Sequence, residues 1–365
     1  MKRTDVVVIG GGFAGASTAW WLRRRGVDGI TLLEQEAVPG AHASGKNAGI
    51  ARQAVSEPAV TALAALGTAF IRNPPAGFCD HPLFEAAGGF LLSKLPGDPR
   101  IEGLRRNALA HGVYTYPAER ADVLALAPFL EGSPFRCALA CPTDGLVDIH
   151  GLLSSYLRGT EVRTGVRITG FETQGRRLRR VLTADGGLDC DWVVNAAGAW
   201  APSVAGMAGG IEIPITPRRR HLLHTGPLDW ADPRGPYVWS LDPAVYLRPE
   251  SSGLLLSPCD ETVWPPGSPP ADPDAASLLA PLLSEAFPAL AELPVATAWA
   301  ELRCFTPDEV FVVGRDPRLS NFLWVAGLGG HGMTTSAAVG ELASALLLGQ
   351  AAPVDPAPYD PKRFR

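Results

Sequence analysis

This chain lacks what a metal centre, a membrane anchor or a nucleic-acid surface would need. Its six cysteines, at positions 79, 137, 141, 190, 259 and 304, form no C-x-x-C pair and no metal-ligand spacing. That excludes the common zinc and iron–sulfur frameworks, and no metal is expected. Cys137 and Cys141 read as packing residues. Cysteines scattered in this way suit a reducing compartment, so the expected location is cytoplasmic. No apolar run is long enough to span a bilayer, which excludes an integral membrane segment. Lys2-Arg3 ahead of an apolar stretch imitates a secretion signal, but no typical cleavage site follows. A formal net charge of −5 argues against a nucleic-acid partner. Two short basic runs stand out. Arg23-Arg24-Arg25 ends the first expected helix, where cations suit the negative dipole end, and Arg218-Arg219-Arg220 reads as a loop. There is no internal repeat.

With 365 residues, 46% hydrophobic and 19% charged, the chain has the make-up of a globular enzyme of two domains or one large one. Its strongest feature lies at the start. An apolar strand over 6–9 enters Gly10-x-Gly12-x-x-Gly15, a helix is expected over 14–25, and a second strand over 30–33 ends at Glu34. Gly10 permits a tight turn, Gly12 lets a pyrophosphate approach bare backbone, and Gly15 lets the helix pack against the strand. The helix N-terminus offers N–H groups to phosphates. Glu34, 19 residues past Gly15, is placed to take both ribose hydroxyls of an adenosine.

Two later segments repeat the theme of a strand running into small residues. One is Val193-Val-Asn-Ala-Ala-Gly-Ala-Trp200. The other is a strand from 321 that enters Gly329-Gly-His-Gly-Met333 and feeds a helix over 334–348, stopped by Gly349. Together the three segments point to one extended cofactor touched by both ends of the chain. A nicotinamide enzyme needs a second mononucleotide half soon after the first. Here a small-residue loop, Pro39-Gly-Ala-His-Ala-Ser-Gly-Lys-Asn-Ala-Gly-Ile50, follows instead and suits a flat ring. FAD, held noncovalently, is therefore the expected cofactor. The last helix would aim its N-terminus at the flavin and favour the reduced anion. The Pro-rich stretch 265–273 reads as a surface loop, with Asp272 capping a helix that has Pro273 in its first position. The tail after Gly349 reads as an extension over the surface.

These anchors resemble the D-amino-acid-oxidase-like family of FAD oxidoreductases, over nearly the whole chain. Val193–Trp200, Gly-Gly-His-Gly-Met-Thr at 329–334, Val-Tyr-Leu-Arg-Pro-Glu at 245–250 and Thr-Pro-Asp-Glu-Val-Phe-Val-Val-Gly at 306–314 carry the resemblance. The expected fold is α/β: a Rossmann-like FAD domain (1–83, 145–214, 305–365) with an inserted α+β substrate domain on a mixed or antiparallel sheet (84–144, 215–304). The expected cofactor set is Gly10, Gly12, Phe13, Ala14, Gly15, Glu34, Gln35, Ser44, Gly45, Lys46, Asn47, Gly49, Val166, Ala197, Gly198, Trp200, Gly329, Gly332, Met333 and Thr334.

Within the family the chain is similar to D-arginine dehydrogenases, through Asn73-Pro-Pro-Ala-Gly-Phe-Cys79, Ser240-Leu-Asp242, Trp299-Ala-x-Leu-Arg303 and Thr335-Ser-Ala-Ala338. That likeness places the substrate carboxylate on Arg303, Arg220 and Tyr246. A guanidinium suits the task because it binds a carboxylate through two parallel hydrogen bonds. Gly330 and His331 join the expected catalytic set; His331 either hydrogen-bonds flavin or substrate or only fills space at the glycine-rich turn. The chain departs from the pattern at two positions. The carboxylate that recognises a cationic side chain falls on Gly89, and an aromatic lid residue falls on Val55. The expected substrate is thus an amino acid that is not strongly cationic, with a gap at Gly89 and Val55 for a different side chain. The expected reaction is hydride transfer from Cα to flavin N5, giving an imine that hydrolyses to a 2-oxo acid. Oxygen or another acceptor then takes the electrons. Two alternatives remain open: oxidation of a 2-hydroxy acid with His331 as base, and a flavin-binding subunit without catalysis. Cys304 reads as packing rather than as a flavin attachment point.

Overall fold

The computed structural model describes residues 4–365; Lys2-Arg3 lie outside that range. The N-terminal unit is β1 (Thr4–Ile9), α1 (Phe13–Arg24) and β2 (Ile30–Leu33), with Val7 opposite Thr31 in parallel register. The other edge of β1 pairs in parallel with strand Gly186–Asn195, placing Val7 opposite Val193. That strand pairs in parallel with the C-terminal strand Phe322–Ala326, Val193 opposite Phe322. These strands read as continuous apolar runs because helices or loops cover both faces of a parallel sheet. The full sheet has eight strands, and the hairpin Ile168–Gln174 and Arg177–Thr183 extends it.

Helix Ser336–Leu348 returns against α1. The contact is backbone-close: a Cβ on Gly340 would sit 2.6 Å from the Ser17 carbonyl carbon. Gly67, on helix Pro58–Arg72, faces the Thr334 carbonyl in the same way at 2.1 Å. The turn that opens the last helix is therefore fixed from two sides.

A second sheet of nine strands is antiparallel apart from one parallel pair. Its long strands are Thr216–His224 and Thr297–Phe305, which run side by side with Arg220 opposite Glu301. Gly89–Ser93 pairs in parallel with Tyr237–Leu241, setting Gly89 opposite Tyr237. Helix Ala275–Ala286 covers this sheet with Leu279 and Leu283.

Four sequence expectations need correction. Arg218-Arg219-Arg220 lies within a strand, not a loop, and carboxylates make this possible. Arg218 and Arg220 pair with Glu261, and Arg219 with Asp272. The helix begins at Ala275, so Pro273 precedes it instead of opening it; Asp272 accepts from the Asp274 N–H at 3.1 Å in the turn ahead of the helix and also pairs with Arg219. The C-terminal tail does more than cross the surface. Tyr359 is fully buried in the core beside helix Pro58–Arg72, and its hydroxyl donates to the Ala59 carbonyl at 2.6 Å.

The fourth correction concerns the expected gap. Gly89 is covered by the Tyr237 ring, which a Cβ there would meet at 2.0 Å. Val55 is buried in the core with Leu63 and Val60. Tyr237 fills the space, and its hydroxyl donates to buried Asp144 at 2.6 Å. No helix among the described residues is long and apolar enough to cross a membrane, and no His/Cys/Asp/Glu group among them is placed to hold a metal.

Candidate active site

Two adjoining cavities run along the C-terminal ends of the parallel strands, where open α/β sheets bind ligands. Gly10, Gly12, Glu34, Gln35, Ser44, Val166, Ala197, Gly198 and Trp200 line the first. Phe13, Ala14, Asn47, Gly49, Gly329, Gly332, Met333 and Thr334 line the second, and Gly12, Ser44 and Gly198 also face it. Gly15 lines neither cavity; a Cβ there would meet the Gly10 carbonyl at 2.0 Å, so it seats the helix against the strand end. Gly45 and Lys46 lie on a different cavity, with His150 and Trp299. Lys46 forms an ion pair with Glu301 at 2.7 Å.

The groove has the chemistry of a dinucleotide site. The N-cap of α1 is Gly12, which has no side chain to cap it, and no acid occupies the first turn, so the positive end of the helix dipole lies at the cavity wall. Gly10 has φ +108°, open to glycine, and its backbone abuts the Ala196 carbonyl. Ser44 accepts from the Phe13 N–H at 3.0 Å, which ties the 39–50 loop to the start of α1. Glu34 is buried, and its carboxylate accepts from the Gly11 N–H at 2.7 Å and the Glu36 N–H at 2.9 Å. A carboxylate has further acceptor capacity, and Glu34 faces the cavity. The last helix is likewise uncapped by any side chain, at the edge of the second cavity. This donor and acceptor set fits FAD: ribose at Glu34, phosphates at the α1 N-terminus, and the flavin in the second cavity.

Glu34→Ala should weaken FAD binding by about 1.5–3 kcal/mol for each charged hydrogen bond lost. Titration of the apoprotein with FAD measures this, and an unchanged affinity would remove Glu34 from the site.

Arg303, Tyr246, Arg220, His331 and Gly330 all line the second cavity. Arg303 is buried, makes no ion pair among the described residues, and donates to the Leu302 carbonyl at 3.3 Å. Burial pushes its guanidinium below its ordinary range. Gly330 leaves room beside it, since a Cβ there would lie 4.0 Å from Arg303 Cδ. Arg220 donates to the Asp260 carbonyl and to Glu261. Tyr246 is buried and stacks on Trp239 with ring centroids 4.3 Å apart. Burial, then the neighbouring Arg52, Arg220 and Arg303, push the His331 imidazole down to about 3. It is therefore neutral at working pH.

The sequence reading missed Arg52, Trp239 and Glu261, which line the same cavity. It also missed Glu301, which lines the first. Arg52 and Trp239 meet only through the fold, so no local motif marks them. Cys304 borders both cavities with its thiol pushed up to about 12 by burial, which keeps it protonated.

Residues 5–346 match a protein family described as FAD dependent oxidoreductase, DAO. The chain is 27% identical over 413 residues to hydrogen cyanide synthase subunit HcnC of Pseudomonas aeruginosa, covering 100% of this chain and 97% of that protein. It is also 27% identical over 380 residues to 4-methylaminobutanoate oxidase (formaldehyde-forming) of Paenarthrobacter nicotinovorans. That match covers 98% of this chain but 45% of the relative, so the chain spans under half of that protein's length. Among solved structures, L-proline dehydrogenase from P. horikoshii superposes with a TM-score of 0.89 at 25% identity, covering 100% of this chain and 98% of that one. A groove with the donors and acceptors for FAD, and a family match through almost the whole sequence, agree: the chain belongs to the DAO family of FAD-dependent oxidoreductases.

Proposed function

We propose that this enzyme oxidises the Cα–N bond of an amino acid that is not strongly cationic, such as a D-amino acid, glycine or an N-alkyl glycine. The observation that carries the reading is Arg303, a buried guanidinium without an ion pair that faces the cavity next to the flavin position. A carboxylate is its natural complement. In this reading the substrate carboxylate lies on Arg303, with Tyr246 and Arg220 flanking it. Arg220 contributes least to direct binding, because Glu261 and the Asp260 carbonyl already hold it.

Bound FAD supplies the hydride acceptor. The chain's residues prepare the substrate. Three guanidiniums around the cavity disfavour an ammonium, so the bound amine gives its proton to solvent. Its lone pair then forms the C=N bond as the Cα hydrogen leaves with its electron pair. Water adds to the imine and releases a 2-oxo acid with ammonia or an alkylamine. No side chain has to act as a base. Oxygen or another acceptor takes the electrons away from the flavin. We read 84–144 and 215–304 as the substrate domain, which supplies Arg220, Tyr246 and Arg303, and the remaining segments as the FAD domain. The protonated Cys304 thiol supports noncovalent FAD, which acid precipitation should release into the supernatant.

Oxidation of a 2-hydroxy acid requires a base for the hydroxyl proton. His331 is a poor one when held near 3. His331→Asn should therefore keep amino-acid turnover within about ten-fold of the parent, whereas loss of a true base costs on the order of 10²–10⁴-fold. The deciding experiment is anaerobic mixing with a panel of D-, L- and N-methyl amino acids and 2-hydroxy acids. Bleaching of the oxidised flavin by amino acids is expected. Bleaching by hydroxy acids alone, or by dithionite alone, overturns the reading.

A further inference from the structure

The second cavity holds more positive charge than a single carboxylate answers. Its charged walls are Arg52, Arg220, Arg303 and Glu261, with His331 neutral. Three guanidiniums against one carboxylate leave two positive charges. An α-carboxylate on a substrate with a neutral amine cancels one of them.

The remaining charge is traced to Arg52. It makes no ion pair among the described residues, and its Nε is buried without a hydrogen-bond partner. Its guanidinium lies 4.1 Å above the Trp239 ring, and Trp239 stacks in turn on Tyr246. Stacking fixes the guanidinium plane and leaves its edge for hydrogen bonding. The carboxylates near it are committed elsewhere. Asp144 accepts from the Gln53 N–H, the Gln53 amide and the Tyr237 hydroxyl. Burial pushes its carboxyl up to about 6, against the Tyr237 and Gln53 hydrogen bonds and the more distant charge of Arg52. Glu261 serves Arg218 and Arg220. A stacked, partly buried cation with an unmet donor and no ion pair among the described residues, in the wall of the substrate cavity, is complementary to an anion.

We infer that Arg52 forms a second anion subsite, and that the preferred substrate is a dicarboxylic amino or imino acid with its second carboxylate on Arg52. The inference rests on the reading of this cavity as the amino-acid site. It also explains why a cationic side chain is unwelcome. Three like charges repel it, and the space at Gly89 that would hold a recognising acid is taken by Tyr237.

The test uses the FAD-loaded protein and unreactive probes. Calorimetry compares glutarate with valerate, which has the same chain but one carboxylate. Glutarate should bind at least ten-fold more tightly. Arg52→Met should collapse the glutarate-to-valerate ratio to near one, and Arg52→Lys should retain several-fold of it. A ratio near one in the parent overturns the inference. So does a ratio that survives in Arg52→Met while both ligands weaken together, which would place Arg52 on the α-carboxylate or in the scaffold. Anaerobic mixing with glutamate and alanine of both hands separates this from the wider reading. Bleaching by alanine at a rate equal to glutamate overturns the second subsite. A glutarate preference lost in Arg52→Met, without bleaching by any amino acid, upholds the subsite and overturns the amino-acid oxidation.

Discussion

Arg303→Met should lower kcat/KM for the amino-acid substrate by on the order of 10²–10⁴-fold, from the loss of two charged hydrogen bonds. The same change should raise the melting temperature of the substrate-free holoprotein. Arg303 is buried with one weak hydrogen bond and no ion pair, so the folded protein bears an uncompensated desolvation cost that Met removes. Arg303→Lys keeps the charge but loses the planar fork, and should fall between parent and Met. A structural arginine would behave in the opposite way, with stability lost and binding little changed. Steady-state kinetics and thermal melting of the three proteins decide between these roles. If Met and Lys variants turned over like the parent, the carboxylate would have to lie elsewhere.

Gly89→Ala should destabilise the protein by about 3 kcal/mol or more, because a Cβ would stand 2.0 Å from the fully buried Tyr237 ring on the neighbouring strand. Tyr237 cannot easily retreat, since its hydroxyl is held by Asp144. For a chain of this size that cost should lower Tm by roughly 4 °C or more. Gly89→Glu should be worse, failing to fold or losing the flavin, rather than turning the enzyme toward D-arginine. A Gly89→Ala protein that melts with the parent would contradict the packing. A folded Gly89→Glu enzyme that gained D-arginine activity would show the strand displaced and the side-chain pocket open.

The part of the fold that was legible in the sequence is the part set by local chemistry. The glycine spacing at 10–15 requires a tight turn and close helix packing, and the apolar runs at 6–9 and 30–33 fit only a covered parallel sheet. What was not legible depends on partners distant in sequence. Arg218–Arg220 looks like a solvated turn until Glu261 and Asp272 neutralise it. Gly89 looks like an empty pocket until Tyr237, on a strand brought alongside in parallel, covers it. Arg52 carries no motif, and its meaning comes from Trp239 and from a buried Nε without a hydrogen-bond partner. The cofactor groove was therefore easier to read than the substrate pocket. The groove is largely backbone and turns, whereas the pocket is made of side chains from separate strands.

The way the sheet closes has a consequence for how the protein is made. Strand Phe322–Ala326 completes the central sheet beside Gly186–Asn195, and the 327–334 turn walls the second cavity. Tyr359 then anchors the tail in the core near Ala59. Synthesis proceeds from the N-terminus, and segments fold as their partners emerge. The glycine turn at 10–15 leaves the ribosome long before the 327–334 turn that walls the second cavity. FAD should be retained only once residues 322–334 have emerged and packed. A ribosome-stalled fragment ending before residue 322 should leave the groove open and hold no flavin.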